Sequence, residues 1–523
     1  LERGVVATLA LLVVFGFGLR VRGIERIGFA EDEINKVEAV RAYEQGDISP
    51  NAEHPMLMKL LMLASVKAAR VWNAQAVNVI EDETTFRLPN IIFGSLTVLP
   101  LFLLTCALFE RRTALRAAAL WAFGVNAITY NRIAKEDTLL VFFMLFAFYF
   151  YIRAKQSSGY DANSKLKFYG LSGASFGLML ASKYFPHYFG LNALYHRLFR
   201  VRKLEQGEPQ WSIPARYYII MGVVFLLVNP AVFLPQTWTY LQAYSSEQLL
   251  THTGYLMGEH LYKNNASGTP FWGTPVYFYA LFMAIKIPLP VLAAFIVGLW
   301  ACFKNWREHG HGFLLLMFLL WIIPYSLFGA KWLRYALSLM PFVYMIAAVG
   351  ITALVNFFFV ALFKEADAQR LMWVATAAAL LIFIALPAFA AYASGPHYNL
   401  YVNALGTGRA GYYFPHDEFY DDGVREALRF ICDTAPQGSI VANETPGVAR
   451  YYLEKFGRAD LQSRPLSDRN FNLADANAPI FVLVQRGRTY FENQEKVKEM
   501  RASFQKIYEV NIQGARAAEI YAR

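Results

Sequence analysis

Apolar stretches long enough to cross a bilayer recur along most of this chain, and that repetition constrains its fold more than any other feature. A helix closes its backbone hydrogen bonds within itself, so it can pass through hydrocarbon, and about 20 apolar residues make one crossing. That measure predicts about eleven spans, near 4–20, 88–109, 114–130, 138–153, 168–183, 185–200, 216–235, 287–303, 312–329, 338–362 and 371–394. Composition agrees: of 523 residues 56% are hydrophobic and 17% charged, and soluble domains carry about 25% charged residues. The expected class is a polytopic α-helical membrane protein. The first apolar run, Val5 to Leu19, follows Arg3 and precedes no small-residue cleavage site, so it reads as a retained span.

The net charge of +10 invites a nucleic-acid partner, but its distribution argues against one. From Pro396 onward, 16 Lys and Arg balance 16 Asp and Glu, so the excess lies in the membrane part. There it collects in alternate loops, at Arg111-Arg112, Arg153 to Lys167, Arg197 to Arg216, Lys304/Arg307 and Lys364/Arg370. By the positive-inside rule these loops and the N-terminus are cytoplasmic. An odd number of spans then places the tail outside. Two domains are expected. Residues 1–395 form a transmembrane domain with long outer loops at about 20–87 and 235–286, and 396–523 form a small extracytoplasmic α/β domain. In that tail, helical patterns alternate with the β-branched runs "GSIVAN" and "APIFVLVQ". Within the second loop, Thr274–Ala284 is apolar but followed by Lys286, Pro288 and Pro290, which predicts an interfacial helix leading into the next span.

The stretch that leaves the first span, "FAEDEINKVEAVRAYEQGDISPNAEHPMLMKLL", puts Glu31, Asp32 and Glu33 beside the hydrocarbon boundary. Ionisable groups there are costly to desolvate and mark functional sites. On the same face fall His54, Arg132, Asp137, Lys183, Lys286, Lys331 and Arg334. Lysines and arginines at span ends also snorkel to headgroups, whereas carboxylates gain nothing from anionic lipid. The structural alternative for the acids is a helix start, where negative side chains favour the helix dipole.

Four segments resemble the dolichyl-phosphate-mannose protein O-mannosyltransferases of the GT-C glycosyltransferase superfamily. Asp32-Glu33, Gly46 and "EHPMLMKLL" resemble that family's first lumenal loop, with Met56 in place of its second proline. "NRIAKEDTLLVFF" is similar to an Arg-to-Asp segment through Arg132 and Asp137. "ASKYFPHYFGL" matches a Lys-Tyr segment at Lys183, and "GAKWLRYALSLMP" resembles the start of a late span in bacterial relatives, with Ser338 replacing a proline. The outer tail is similar to bacterial members and the aminoarabinose transferases of lipid A, and no inserted β-trefoil domain has room. The resemblance implies a GT-C fold and an inverting transfer of a hexosyl or pentosyl group from a polyprenyl-phosphate donor to an acceptor hydroxyl. It implies Asp32 as the base, with Glu33 and Glu31 raising its pKa by like-charge repulsion. Lys286, Lys331 and Arg334, then Arg132 and Lys183, are the expected cations for the donor phosphate. His54, Asp137 and His260 are expected to contact substrate.

No cofactor is required on this reading. Glu53, His54, His252, Glu259 and His260 offer nitrogen and oxygen ligands from the two outer loops, but without the spacing of a metal site. A transporter would carry inverted repeats and midplane charges, and eleven spans exceed what an anchored binding protein needs. The expected partners are the lipid-linked donor, membrane lipids and an acceptor on protein, lipid A or another envelope glycan. The expected location is a bacterial inner membrane with the site on its periplasmic face.

Overall fold

The structure is a computed structural model that describes residues 2–157, 162–184, 213–246, 253–265, 271–362, 368–468, 470–473 and 478–523. Among these, six helical segments are long and apolar enough to cross a membrane: Arg3–Arg26, Asp82–Leu108, Asp137–Gln156, His309–Leu327, Met340–Phe357 and Val374–Ser394. Two shorter apolar helices, Ala215–Val228 and Leu289–Lys304, accompany them. The chain is therefore a multi-pass integral membrane protein, but the expected count of about eleven spans is not reached among the described residues. Span 185–200 lies outside them. The segment expected at 168–183 is the helix Ala162–Ser182, whose first two turns carry the polar Ser164, Lys165 and Lys167.

The span expected at 114–130 is two helices, Arg111–Phe123 and Val125–Tyr130. They part at Gly124, where an added Cβ would lie 2.1 Å from the Tyr344 hydroxyl. The break leaves the carbonyls of Trp121 and Ala122 without their own helical donors. Arg20, fully buried at the end of the first helix, donates to both at 3.2 Å and to Asn131 Oδ1 at 3.1 Å. A guanidinium in an apolar interior needs such acceptors, so the helix break and the buried arginine explain each other.

The first long loop is ordered. It holds a 3-10 turn, Ile24–Arg26, and the helices Glu31–Glu44 and Leu57–Asn73. The second of these buries Met58, Met62, Val66 and Ala69 at helical spacing. After the last span comes a five-stranded sheet in the order Gln462–Pro465, Ile440–Asn443, Ile480–Gln485, Ala515–Ala522, Gln505–Ile512. The first three strands are mutually parallel and the last two pair antiparallel. Helix Val424–Thr434 leads into the sheet, and Pro446–Lys455 and Gln494–Ser503 connect strands within it.

This region sits directly on the first loop. Phe29, Ile34 and Val37 share one apolar core with Val424, Val448 and Tyr452. The Tyr452 hydroxyl accepts from the Phe29 N–H at 2.8 Å and donates to Glu83 at 2.9 Å, and Tyr451 donates to Asp82 at 2.7 Å.

Helices Leu289–Lys304 and Met340–Leu362 touch backbone to backbone at two glycines. A Cβ on Gly298 would come 1.9 Å from the Ile346 carbonyl, and one on Gly350 equally close to that of Ala294. Small residues permit such contacts between membrane helices. Gly350→Val is expected to destabilise the protein by about 1–3 kcal/mol through overpacking. Thermal unfolding in detergent reads this, and an unchanged transition would show that the helices are not packed so closely.

Candidate active site

The three adjacent acids are the first residues of the helix Glu31–Glu44, and a helix turns about 100° per residue. Their side chains therefore fan apart, and each meets a different partner. Glu33 is 1% exposed and faces Arg87, itself 3% exposed. Oε1 accepts from Arg87 Nε at 2.8 Å and Oε2 from Nη2 at 2.6 Å. The same carboxylate accepts from the N–H groups of Ala30 at 2.9 Å and Ala134 at 2.8 Å. Arg87 uses its remaining donors on the carbonyls of Ile27 and Gly28. Glu33 is thus fully committed inside the protein, which corrects its expected place beside Asp32 in the chemistry. Glu31 pairs with Arg488 at 2.7 Å, and its backbone N–H donates to Asp421 at 3.0 Å.

Asp32 and Glu31 stay partly accessible, with 32% and 35% of their side chains exposed, and Asp32 is the one that gathers two cations. Its Oδ2 accepts from the Arg334 guanidinium and from the Tyr420 hydroxyl at 2.8 Å, and Lys135 Nζ lies 3.2 Å from Oδ1. Burial opposes its charge, but Arg334 and Lys135, with Lys36 beyond them, hold the carboxyl well below the usual range. This reverses the expectation that Glu31 and Glu33 raise it, because both of those charges are cancelled by arginines of their own. Burial pulls Lys135 down to about 8, against the attraction of Asp32.

The expected cations divide. Arg334 is the second residue of the 3-10 segment Leu333–Ser338 and lies 5.6 Å from the ring centres of both Trp332 and Tyr335. Lys183 stands over Tyr335 at 4.8 Å and pairs with Asp137 at 2.6 Å. These two cations therefore flank one tyrosine ring next to Asp32. The other three are turned to structural work, contrary to expectation. Lys331 precedes the 3-10 segment rather than sharing a helical face with Arg334, and its ammonium donates to the carbonyls of Thr274 and Phe328. Lys286 forms a buried ion pair with Glu418 and donates to the Asn399 carbonyl. Arg132 donates to the carbonyls of Pro396 at 2.6 Å and Arg22 at 3.1 Å.

His54 lies 3.7 Å from Glu136, which forms a buried pair with Lys36 at 2.7 Å. Glu53 accepts from Asn51, while Glu259 and His260 are exposed on the hairpin of Tyr255–Met257 and His260–Tyr262. His252 lies outside the described residues. Among the described residues no cluster of three or more His, Cys, Asp or Glu side chains is placed to hold a metal ion.

Two residues on Asp32 escape sequence reasoning. Lys135 stands in the quoted "NRIAKED" at the same boundary as Asp137 and carries the same signal. Tyr420 lies in "EFYDDG" after the last span, where nothing local announces contact with residue 32.

A family model described as dolichyl-phosphate-mannose-protein mannosyltransferase matches residues 71–233. No curated protein matches the sequence. Among solved structures, ArnT from Cupriavidus metallidurans in the apo state superposes with a TM-score of 0.53 at 13% identity, over 99% of this chain and 97% of that one. The same protein bound to undecaprenyl phosphate gives 0.51 at 14% identity over the same shares. The apo oligosaccharyltransferase of Archaeoglobus fulgidus gives 0.54 at 11% identity, over 92% of this chain and 69% of that one. The chain has the GT-C glycosyltransferase fold.

Glu33→Gln removes one charge of a buried, bidentate pair and leaves Arg87 uncompensated. The expected loss is about 3–5 kcal/mol of stability, read as a lowered thermal transition of the purified protein. A transition unchanged from wild type would contradict the assigned role of Glu33.

Proposed function

We propose that the chain is an inverting glycosyltransferase that moves a sugar from a polyprenyl-phosphate donor to an acceptor hydroxyl at the extracytoplasmic membrane face. The observation that carries this reading is the accessible Asp32 carboxylate in contact with Arg334 and Lys135, at the level where the apolar helices end. A carboxylate with cations beside it is what the reaction needs. The acceptor oxygen bonds to the anomeric carbon while the bond from that carbon to the phosphate oxygen breaks. The proton passes to Asp32, and the negative charge that develops on the departing lipid phosphate is held by Arg334, Lys135 and Lys183. Arg suits this task because its planar fork grips phosphate bidentately.

In the absence of donor the cations are held by Asp32. A donor phosphate competes for Arg334, and as that guanidinium turns toward phosphate the carboxylate becomes a stronger base. Basicity therefore appears with the substrate. The undecaprenyl phosphate bound to ArnT and the dolichyl-phosphate-mannose description of the family model support a lipid phosphate as the leaving group. The loop charges support the extracytoplasmic side. Protein hydroxyls, lipid A and other envelope glycans are the acceptor classes this reading admits. The transporter reading is weakened by the charges, which gather at one face rather than at the midplane.

The test uses the purified protein in vesicles with undecaprenyl-phosphoryl mannose and follows release of undecaprenyl phosphate. Asp32→Asn is expected to lower turnover by about 10²–10⁴-fold while donor binding persists, since the freed cations face phosphate unopposed. Normal turnover would exclude Asp32 as the base. Arg334→Glu is expected to weaken donor binding, and unchanged affinity would remove it from the phosphate site.

A further inference from the structure

Tyr420 follows the last span by more than a helix and a loop in sequence, yet its hydroxyl contacts Asp32. The direction of that contact is settled by donor chemistry. Arg334 Nη1 lies 3.4 Å from the Tyr420 oxygen, and a guanidinium can only donate. The phenol oxygen therefore accepts from Arg334, and its own proton points to Asp32 Oδ2 at 2.8 Å. Oδ2 carries two bonds in this arrangement, while Oδ1 faces Lys135 alone at 3.2 Å.

The backbone that presents Tyr420 is held in an uncommon conformation. Tyr420 and Asp421 both have left-handed backbones, with φ of 47° and 63°. Non-glycine residues keep such angles only when their surroundings fix them, and they gather at functional sites. For this pair the surroundings are explicit. Asp421 accepts from Arg488 through both carboxylate oxygens, from Gln485 at 3.3 Å and from the Glu31 N–H at 3.0 Å. Gln485 ends the strand Ile480–Gln485, which is paired on both sides within the sheet, and Arg488 follows three residues later. Arg488 also bonds Glu31, the residue before Asp32. A continuous set of contacts thus runs from the middle of the sheet through Arg488 and Asp421 to Tyr420, and closes on the helix start that carries Asp32.

We infer that Tyr420 is a positioning residue that holds Asp32 Oδ2, leaving Oδ1 to receive the acceptor proton, and that the sheet region is the device that presents it. The inference rests on Asp32 acting as the base. It gives Tyr420 a defined task in the donor complex: when phosphate draws Arg334 away, the phenol keeps the carboxylate from rotating.

Tyr420→Phe deletes only the hydroxyl and retains the ring. In vesicles with undecaprenyl-phosphoryl mannose as donor and water as acceptor, it is expected to lower kcat roughly tenfold with donor KM unchanged. A hydrogen bond donated to a carboxylate favours its charged form, so losing that bond raises the Asp32 pKa. The acid limb of kcat should move up by about one pH unit. Replacing Tyr420 with 3-fluorotyrosine strengthens the donor and should move the limb the other way. This second variant keeps the hydroxyl and carries the test if Tyr420→Phe does not fold. A merely structural tyrosine would not give shifts of opposite sign. Limbs that coincide with wild type, or that move in the same direction for both variants, would overturn the inference. Asp32→Asn run in parallel separates the two levels. If it is inactive while Tyr420→Phe behaves as wild type, only the positioning role fails. If Asp32→Asn turns over normally, the base assignment and this inference fall together.

Discussion

The buried pair of Glu33 and Arg87 is the interaction on which the rest of the site depends. Arg87 rises from the helix Asp82–Leu96 and collects the carbonyls of Ile27 and Gly28 with the Glu33 carboxylate. Glu33 in turn collects the N–H of Ala134, the residue before Lys135. One ion pair therefore fixes the exit of the first span, the start of the acidic helix and the loop that brings Lys135 to Asp32. A buried pair of this kind gives little net stability over an apolar substitute. Its value lies in geometry, since bidentate bonds hold three separate segments in a single register.

Around that fixed point the electrostatics are those of a site waiting for an anion. Asp32 faces Arg334 and Lys135, with Lys183, paired to Asp137, across the Tyr335 ring. Arg334, Lys135 and Lys183, gathered around Asp32, are the counter-charges a lipid phosphate would meet. Lys286 and Lys331 are occupied within the protein, Lys286 by the Glu418 carboxylate and Lys331 by backbone carbonyls. The site is therefore narrower than the full set of boundary charges, and its chemistry converges on a few atoms. Tyr420 and Arg488 tie this small region to the sheet beyond the last span, so the two parts of the chain are joined by polar contacts as well as by a shared core.

How much of this could be read from the sequence depends on the range of the deciding contact. Counting apolar runs and loop charges places Asp32, Asp137, Lys183 and Arg334 at one membrane face, because span length is a local property. The same count cannot tell a cation facing a cleft from one that caps carbonyls. Lys331 and Arg334 stand three residues apart and look alike until the backbone between them departs from a helix. Gly124 at the helix break is similar: the glycine is visible, but the Tyr344 hydroxyl that excludes a side chain there lies more than two hundred residues away in sequence. Glu33 misled for a related reason. Adjacent acids suggest mutual repulsion, whereas a helix start separates them and each finds its own base, Arg488 for Glu31 and Arg87 for Glu33. Tyr420 was beyond reach, since only the docking of the sheet region on the first loop brings it to residue 32.

The proposed reaction is a single displacement: an acceptor oxygen, relieved of its proton by Asp32, attacks the anomeric carbon opposite the departing phosphate. Stereochemistry tests this most directly. The purified protein would be given undecaprenyl-phosphoryl mannose of known anomeric configuration, and the first-formed product examined by proton NMR before it equilibrates. A single displacement predicts inversion at the anomeric carbon. Retention would require a covalent glycosyl intermediate or a double displacement, and would contradict Asp32 as the base of a one-step transfer.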